Sequence, residues 1–352
     1  MDISVVIPTL NGRDRLATCL DALAERAPDI ETVVANGPSA DGTSGMVRDR
    51  DTVDVLVELD ERNVNVARNA GAARASGEIV AFLGDELQIA DDWLAALRGH
   101  TDRTGEAGAG DGTPQVAPDG GVRETAAEDE HDERAEDEPN ESGDSDEASP
   151  VGAFSGPTNR QLRAGVATED VETRRIKGRS VTYVNPRNVA FTQAALDAID
   201  GFDEYLEIGG ARDAAHRLAA TGFGVDWRPE MAVQFDPERE PPARADGGDE
   251  TDWRWRYRSL AYRLVKNYGP RPTVAYRVVR HAVGDAWTAL RKVGRGEAPL
   301  SAWLGNGREV SLGAGRGLVD GLGARYRDRD PRRNPNGISS RTDRAVAVFD
   351  RR

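Results

Sequence analysis

Lysine is almost missing from this 352-residue chain: of its 46 basic residues only Lys177, Lys266 and Lys292 are lysines, and the others are arginine. Set against 61 acidic residues, this leaves a net charge of −15. Hydrated carboxylates keep a protein dissolved where salt screens long-range repulsion, so the composition points to a halophilic archaeon. Cysteine is limited to Cys19. That excludes a disulfide within the chain, and the thiol's place on the apolar face of a helical pattern assigns it to packing. No run of 18 or more apolar residues occurs, so no transmembrane helix is expected, and the chain reads as cytoplasmic and at most peripheral on the inner face of the cell membrane. The four histidines lack metal-ligand spacing: His216 and His281 lie in helical patterns, and His100 and His131 flank or interrupt an acidic stretch.

The charge is unevenly spread. Residues 101–150 hold 17 acids and 3 bases with few large apolar side chains, a composition that cannot bury enough surface to order itself. They read as a disordered, salt-adapted insertion, with an acidic lid or docking tail as the alternative. Residues 251–352 carry 22 bases against 9 acids and so call for an anionic partner. In 252–270 Trp253, Trp255, Tyr257, Leu260, Leu264 and Tyr268 interleave with Arg254, Arg256, Arg258, Arg263 and Lys266, and 273–293 continue the pattern. Basic, aromatic-rich amphipathic helices over 252–293 suit an anionic membrane surface; the alternative is that they pack on the rest of the chain. Nucleic acid is not expected, because the acidic remainder repels it and high salt weakens phosphate contacts. Residues 331–352 read as a tail with one short apolar segment at 345–349.

The remaining chain alternates strand and helix patterns. Residues 3–7 form an apolar strand, followed by a turn at Pro8, Asn11 and Gly12 and a helix with Leu16, Cys19, Leu20 and Leu23 on one face. A second strand at 31–35 runs into a Gly/Asn/Asp/Ser turn over 36–47, and further strands are expected at 53–59, 78–83, 181–184, 188–191 and 224–227. Such βαβα order predicts a parallel sheet. The strand at 78–83 stops on Asp85 and Glu86. Ligands of open α/β sheets bind outside the carboxyl ends of the strands, and paired carboxylates there suit Mg²⁺ or Mn²⁺. The bland alternative is a strand meeting water.

Four segments resemble the family 2 glycosyltransferases: SVVIPTLNGRDRLATCL (4–20), the Gly-Asp-Gly-Thr loop around 37–43, ARNAGAARASGEIVAFLGDE (67–86) followed by Trp93-Leu94, and NVAFTQAALDAIDGFDE (188–204). The resemblance covers roughly 1–235. It implies an α/β GT-A fold, a Rossmann-like three-layer sandwich with a mostly parallel central sheet, here followed by a basic amphipathic helical extension over 251–330. It also implies a nucleoside-diphosphate sugar held near Pro8, Thr9, Asn11, Asn36, Asp41, Arg68 and Asn69, with a divalent metal (Mg²⁺ or Mn²⁺) on Asp85 and Glu86. Asn188 would lie on the acceptor side, and Asp213 would be the candidate catalytic base of an inverting transfer. The acceptor implied is a polyprenyl-phosphate-linked glycan or other glycolipid. Three of these donor residues also have a structural alternative: an Asx-turn for Asp41, and a solvated helix face for Arg68 and Asn69.

Three departures stand out. Ala35 and Asn36 occupy the place where the family carries a base-reading acid, and Gly84 takes the place of one acid in a run of three. Gly210 and Ala211 replace the acids at the helix start, so that Asp213 is displaced from the usual base position. Asp213 is therefore either a relocated base or a first-turn acid stabilising its helix through the dipole. An acceptor that is itself a phosphate needs no strong base. The rival to an active enzyme is a catalytically degenerate sugar-nucleotide-binding or scaffold protein, and a nucleotidyltransferase is a third reading.

Overall fold

The computed structural model describes residues 2–99, 149–162, 165–167, 171–176, 178–235, 252–295 and 300–352. The acidic insertion lies, over 101–148, outside these residues.

The first strand, β1 (Ile3–Thr9), is buried on both sides along its first five residues, as the inner strand of a sheet covered on both faces must be. Helix and strand then alternate through α1 (Arg13–Arg26), β2 (Glu31–Asn36), α2 (Thr43–Arg48), β3 (Val55–Leu59), α3 (Val64–Ala72) and β4 (Ile79–Leu83). Strand β1 pairs in parallel with both β2 and β4, and β2 pairs with β3. After β5 (Leu87–Ile89) and α4 (Trp93–Arg98) the chain resumes at β6 (Val151–Ser155). It continues through β7 (Thr158–Leu162), β8 (Gly165–Ala167), β9 (Thr173–Ile176), β10 (Arg179–Thr182), β11 (Asn188–Thr192), α5 (Gln193–Ile199), α6 (Gly210–Ala220), β12 (Gly224–Trp227) and β13 (Val233–Phe235). Three helices, α7 (Trp253–Tyr268), α8 (Pro272–Gly294) and α9 (Leu300–Arg327), precede the last strand, β14 (Ala345–Asp350).

Eight strands form the main sheet in the order β12-β6-β11-β4-β1-β2-β3-β14. Alternate residues of β1 feed opposite cores, as the two-residue period of a strand requires. Val5 and Ile7 join Leu16 and Leu20 of α1 with Trp93, and Val6 joins Ala67 and Ala70 of α3 with Phe82 and Phe191. This is the three-layer GT-A arrangement expected from the motifs.

Two strand expectations are corrected. The segment near 181–184 is β10, which pairs only with β9 in a separate ribbon. Residues 345–350 are no detached tail: β14 lies antiparallel on β3 and closes that edge of the sheet.

The basic extension also differs from its expected form. Helix α7 does not lie open to a surface, since Tyr257, Ala261, Tyr262 and Val265 are fully buried and Lys266 is buried with them. Helix α9 covers it. A side chain at Gly313 or Gly317 would strike the α7 carbonyls of Arg254 and Arg258, and one at Gly321 would approach the Tyr262 carbonyl to 2.7 Å. These glycines, four residues apart on one helix face, let the two backbones touch. Helix α8 keeps an apolar stripe in solvent, formed by Tyr276, Val279, Val283, Trp287 and Leu290, and α9 exposes Leu312, Leu318, Val319 and Tyr326. No helix among the described residues is long and apolar enough to cross a membrane.

Candidate active site

The parallel sheet brings the ends of β1, β2 and β4 to one rim, and Asp85 and Glu86 emerge there. Thr9, the last residue of β1, donates its hydroxyl to Asp85 Oδ2 at 2.6 Å, and Arg15 Nη2 approaches the same oxygen at 3.4 Å. Gly12 has to be a glycine, because a β-carbon there would collide with Asp85 and lie 2.7 Å from Thr9 Oγ1. Glu86 pairs with Arg187 Nε at 3.1 Å. At position 84, where a third acid is missing, a β-carbon would come within 3.0 Å of Glu86 Oε2, so the glycine leaves room for the remaining pair.

The two carboxylates repel each other in a poorly hydrated place. Burial, with the neighbouring Glu86 charge, pushes the Asp85 carboxyl up to about 7, although Arg15 and Thr9 oppose the rise. Arg15 and Arg187 offset this repulsion only in part. Arg15 Nε is also buried without a partner, a donor available to an anion beside the carboxylates. These residues fit a hard divalent ion accompanied by a diphosphate: Asp85 and Glu86 would hold the ion, which would complete its shell with phosphate oxygens and water. Among the described residues no cluster of three or more His, Cys, Asp or Glu side chains supplies a fuller metal cage.

The loop after β2 frames the rim. Asn36 is buried and spends its amide on Ser44 Oγ and its carbonyl on Ser39 Oγ, at 2.9 and 2.7 Å. Asp41 takes the Asx-turn role. Its Oδ1 accepts from the Thr43 amide at 3.1 Å and from the Thr43 hydroxyl at 2.5 Å, and its Oδ2 accepts from the Arg13 amide at 3.0 Å. These bonds outweigh burial and hold the Asp41 carboxyl below its ordinary range. Asn11, at φ 49°, fastens the two loops together through the Ala40 amide. Pro8 is half-buried at the rim.

Four expected roles do not survive the geometry. Asn69 is fully buried and clamps the 202–204 turn, accepting from the Phe202 amide and donating to the Phe202 carbonyl and Glu204. Its amide is consumed by the fold, so it is no donor ligand. Asn188 is likewise enclosed between Trp93 Nε1 and the Met231 carbonyl and faces no acceptor. Arg68 lies neither on a solvated face nor open to a nucleotide: it bonds Asn65 Oδ1 and the Pro186 carbonyl and stacks over Phe202 at 5.0 Å. Asp213 is fully buried, with Lys266 Nζ at 2.7 Å and Arg217 Nε at 2.8 Å on one oxygen and Asn267 Nδ2 at 2.8 Å on the other. Burial would raise its carboxyl, but the two cations hold it well below the usual carboxylate range. A base so weakened and enclosed cannot take an acceptor's proton.

Sequence patterns missed Arg15 and Arg187. Arg15 lies three residues after Gly12 on α1, a spacing that offered a signal. Arg187 reaches Glu86 only because β11 runs antiparallel to β4, with Asn188 opposite Leu83 and the Gly84 amide bonded to the Arg187 carbonyl at 2.9 Å.

Comparison with known proteins agrees with this geometry. Residues 4–159 match the family described as Glycosyl transferase family 2. Glycosyltransferase AglE of Haloferax volcanii is 30% identical over 133 residues, covering 36% of this chain and 43% of that protein. Glycosyltransferase GlyA of Streptococcus pneumoniae is 28% identical over 99 residues, covering 27% of this chain and 14% of that protein. The chain thus spans less than half the length of these curated relatives. Among solved structures, S. aureus TarS 1–349 in complex with UDP-GlcNAc superposes with a TM-score of 0.50 at 14% identity, over 76% of this chain and 68% of that one, a likeness of fold. The motif order, the carboxylate pair at the rim and the match over 4–159 agree in likening this part of the chain to the family 2 glycosyltransferases, on a GT-A fold.

Proposed function

We propose that this protein moves a sugar from a nucleoside-diphosphate donor to a phosphate-bearing lipid acceptor at the inner face of the cell membrane, with inversion at the anomeric carbon. The observation that carries the reading is the crowded Asp85–Glu86 pair at the carboxyl end of β4, flanked by the unpartnered Nε of Arg15. A divalent ion bound there would neutralise the departing diphosphate. Thr9 and Arg15 fix the Asp85 carboxylate, Arg187 fixes that of Glu86, and the Asn36–Asp41 loop shapes the wall on which the nucleotide would lie.

The acceptor class follows from the missing base. Asp213 is bound to two cations, so a neutral hydroxyl would find no carboxylate there to deprotonate it. A phosphate oxygen is already ionised and can attack unaided. The expected result is donor binding that requires Mg²⁺ or Mn²⁺, measured over a panel of UDP-, GDP- and dTDP-sugars in molar KCl, followed by turnover when a polyprenyl phosphate is added. Turnover with a free sugar acceptor but none with the lipid phosphate would sink the acceptor assignment. A folded chain that binds no donor would favour the scaffold reading.

The membrane contact is assigned to α8, since α7 is buried. Tyr276, Val279, Val283, Trp287 and Leu290 lie in solvent along one face of α8, and Arg291 stacks over Trp287 at 5.3 Å. An apolar stripe edged by arginine suits the acyl boundary of an anionic leaflet. Replacing Val283 and Trp287 together by aspartate should lower partition onto phosphatidylglycerol vesicles by about tenfold or more. Both side chains are exposed, so the thermal midpoint should stay unchanged. Unaltered sedimentation with the vesicles would remove α8 from the contact.

A further inference from the structure

Under α8, a small open pocket of about 30 Å³ lies between the start of α6 and the faces of α7 and α8. Arg212 of α6, Arg256, Ser259 and Arg263 of α7, and His281 of α8 line it, together with Gly209. Two of these groups are buried with nothing to bond. Ser259 is 4% exposed with its hydroxyl unpaired, and Arg263 is 7% exposed with Nε unpaired. A buried polar group normally has a partner, and here two such groups line one open pocket.

Helix α6 adds donors. Its N-cap is Gly209, at φ 78° with no side chain to cap the turn, so the first amides of an 11-residue helix have no side-chain acceptor there. The Arg263 guanidinium is close to that start, 3.0 Å from where a β-carbon on Gly209 would be. Any side chain at 209 would therefore crowd the pocket. Asp285 is the one carboxylate in the lining, and it is engaged by the Tyr257 hydroxyl at 2.7 Å and Arg256 at 3.5 Å. Arg212 pairs with Glu172 at 2.9 Å, so the Arg263 guanidinium, the Ser259 hydroxyl and the helix N-terminus are the donors that remain.

We propose that this pocket is a phosphate site, which receives a phosphate group of the acceptor. Tetrahedral oxygens match donors offered by α6 and α7, and guanidinium groups bind phosphate through charge-assisted hydrogen bonds. Assignment of the phosphate to the acceptor rests on the glycosyltransferase reading above; the site itself rests on Ser259, Arg263 and the uncapped helix. None of its lining residues touches the Asp85–Glu86 pair, whose neighbours are Thr9, Gly12, Arg15 and Arg187.

The test is titration calorimetry of the full chain in molar KCl, without metal or donor, using inorganic phosphate, a short-chain isoprenyl monophosphate and the matching isoprenyl alcohol. Binding of both phosphates, weakened about tenfold in Arg263→Gln and in Ser259→Ala but not in the α9 surface variant Arg308→Gln, would support a site satisfied by phosphate alone. Binding of the isoprenyl phosphate without inorganic phosphate or alcohol, with the same dependence on the variants, would support a lipid-borne phosphate. No phosphate binding, or equal binding by wild type and both pocket variants, would overturn the proposal. Ser259→Ala removes one hydroxyl and keeps the test valid should Arg263→Gln fail to fold. A chain that binds no nucleotide sugar leaves these titrations unaffected, so the two readings fail separately.

Discussion

Asp85→Asn should lose metal-dependent donor turnover by at least about 100-fold and yet fold more stably than the wild type at neutral pH and above. The two effects share one cause. A functional carboxylate pair must stay charged and close without its ion, and the wild-type fold bears that repulsion in a buried place. Asparagine keeps the shape and can still accept the Thr9 hydroxyl while removing the charge opposite Glu86.

The pH dependence follows from the direction of the shift. The Asp85 carboxyl has an ordinary value of 3.8 and rises to about 7 in the folded chain through burial and the Glu86 charge. A group that holds its proton more tightly when folded stabilises most below its unfolded value, and that contribution is lost as pH climbs toward the folded value. Metal-free wild type should therefore lose stability between about pH 4 and pH 7 relative to Asp85→Asn, by on the order of 4 kcal/mol. Urea midpoints of both proteins across this range, in molar KCl with a chelator, would show it. Parallel curves, or a variant less stable throughout, would mean that the pair is not strained in the absence of metal. Adding Mn²⁺ should raise the wild-type midpoint and leave that of the variant unmoved.

The half of the fold that holds the rim was legible because its signals are local. Each of the first strands is a short apolar run closed by turn residues, and each following helix repeats at its own period. Asp85 and Glu86 could be singled out because they end such a run. The losses have different physical origins. Asn69, Asn188 and Arg68 are polar residues within motifs, and a sequence does not say whether a polar side chain serves a ligand or an internal carbonyl. That depends on partners such as Phe202, Met231 and Pro186, more than 40 residues away in the chain. Strand β14 was unreadable because only pairing with β3 makes 345–350 a strand, and its outer edge stays exposed. In α7 the interleaved arginines and aromatics read as an amphipathic surface helix. What covers them is α9, whose glycines look like breakers in isolation and act as the contact surface once α7 lies against them.

Lys266→Met should destabilise the chain by about 3–5 kcal/mol, the usual cost of leaving a buried ion pair without one partner. Lys266 Nζ bridges Asp203 at 2.6 Å and Asp213 at 2.7 Å, and all three side chains are fully buried. Arg217 and Asn267 would still serve Asp213, and Tyr262 and Asn336 would serve Asp203, but two carboxylates would then share one buried cation. The same network gives Asp213 a test of its own. A carboxyl whose folded value is depressed contributes stability that is present above its unfolded value, 3.8 here, and is lost as pH falls below it. Wild type should lose stability on acidification through that range more steeply than Asp213→Asn, whose cost should already be present at neutral pH. If Asp213 were instead the base, Asp213→Asn would keep its melting temperature and lose turnover and the acid limb of the rate profile. A lowered melting temperature with donor hydrolysis retained by the folded fraction is the outcome expected of a carboxylate that ties α7 to the catalytic domain. The helix that walls the phosphate pocket is then held in place by Asp213.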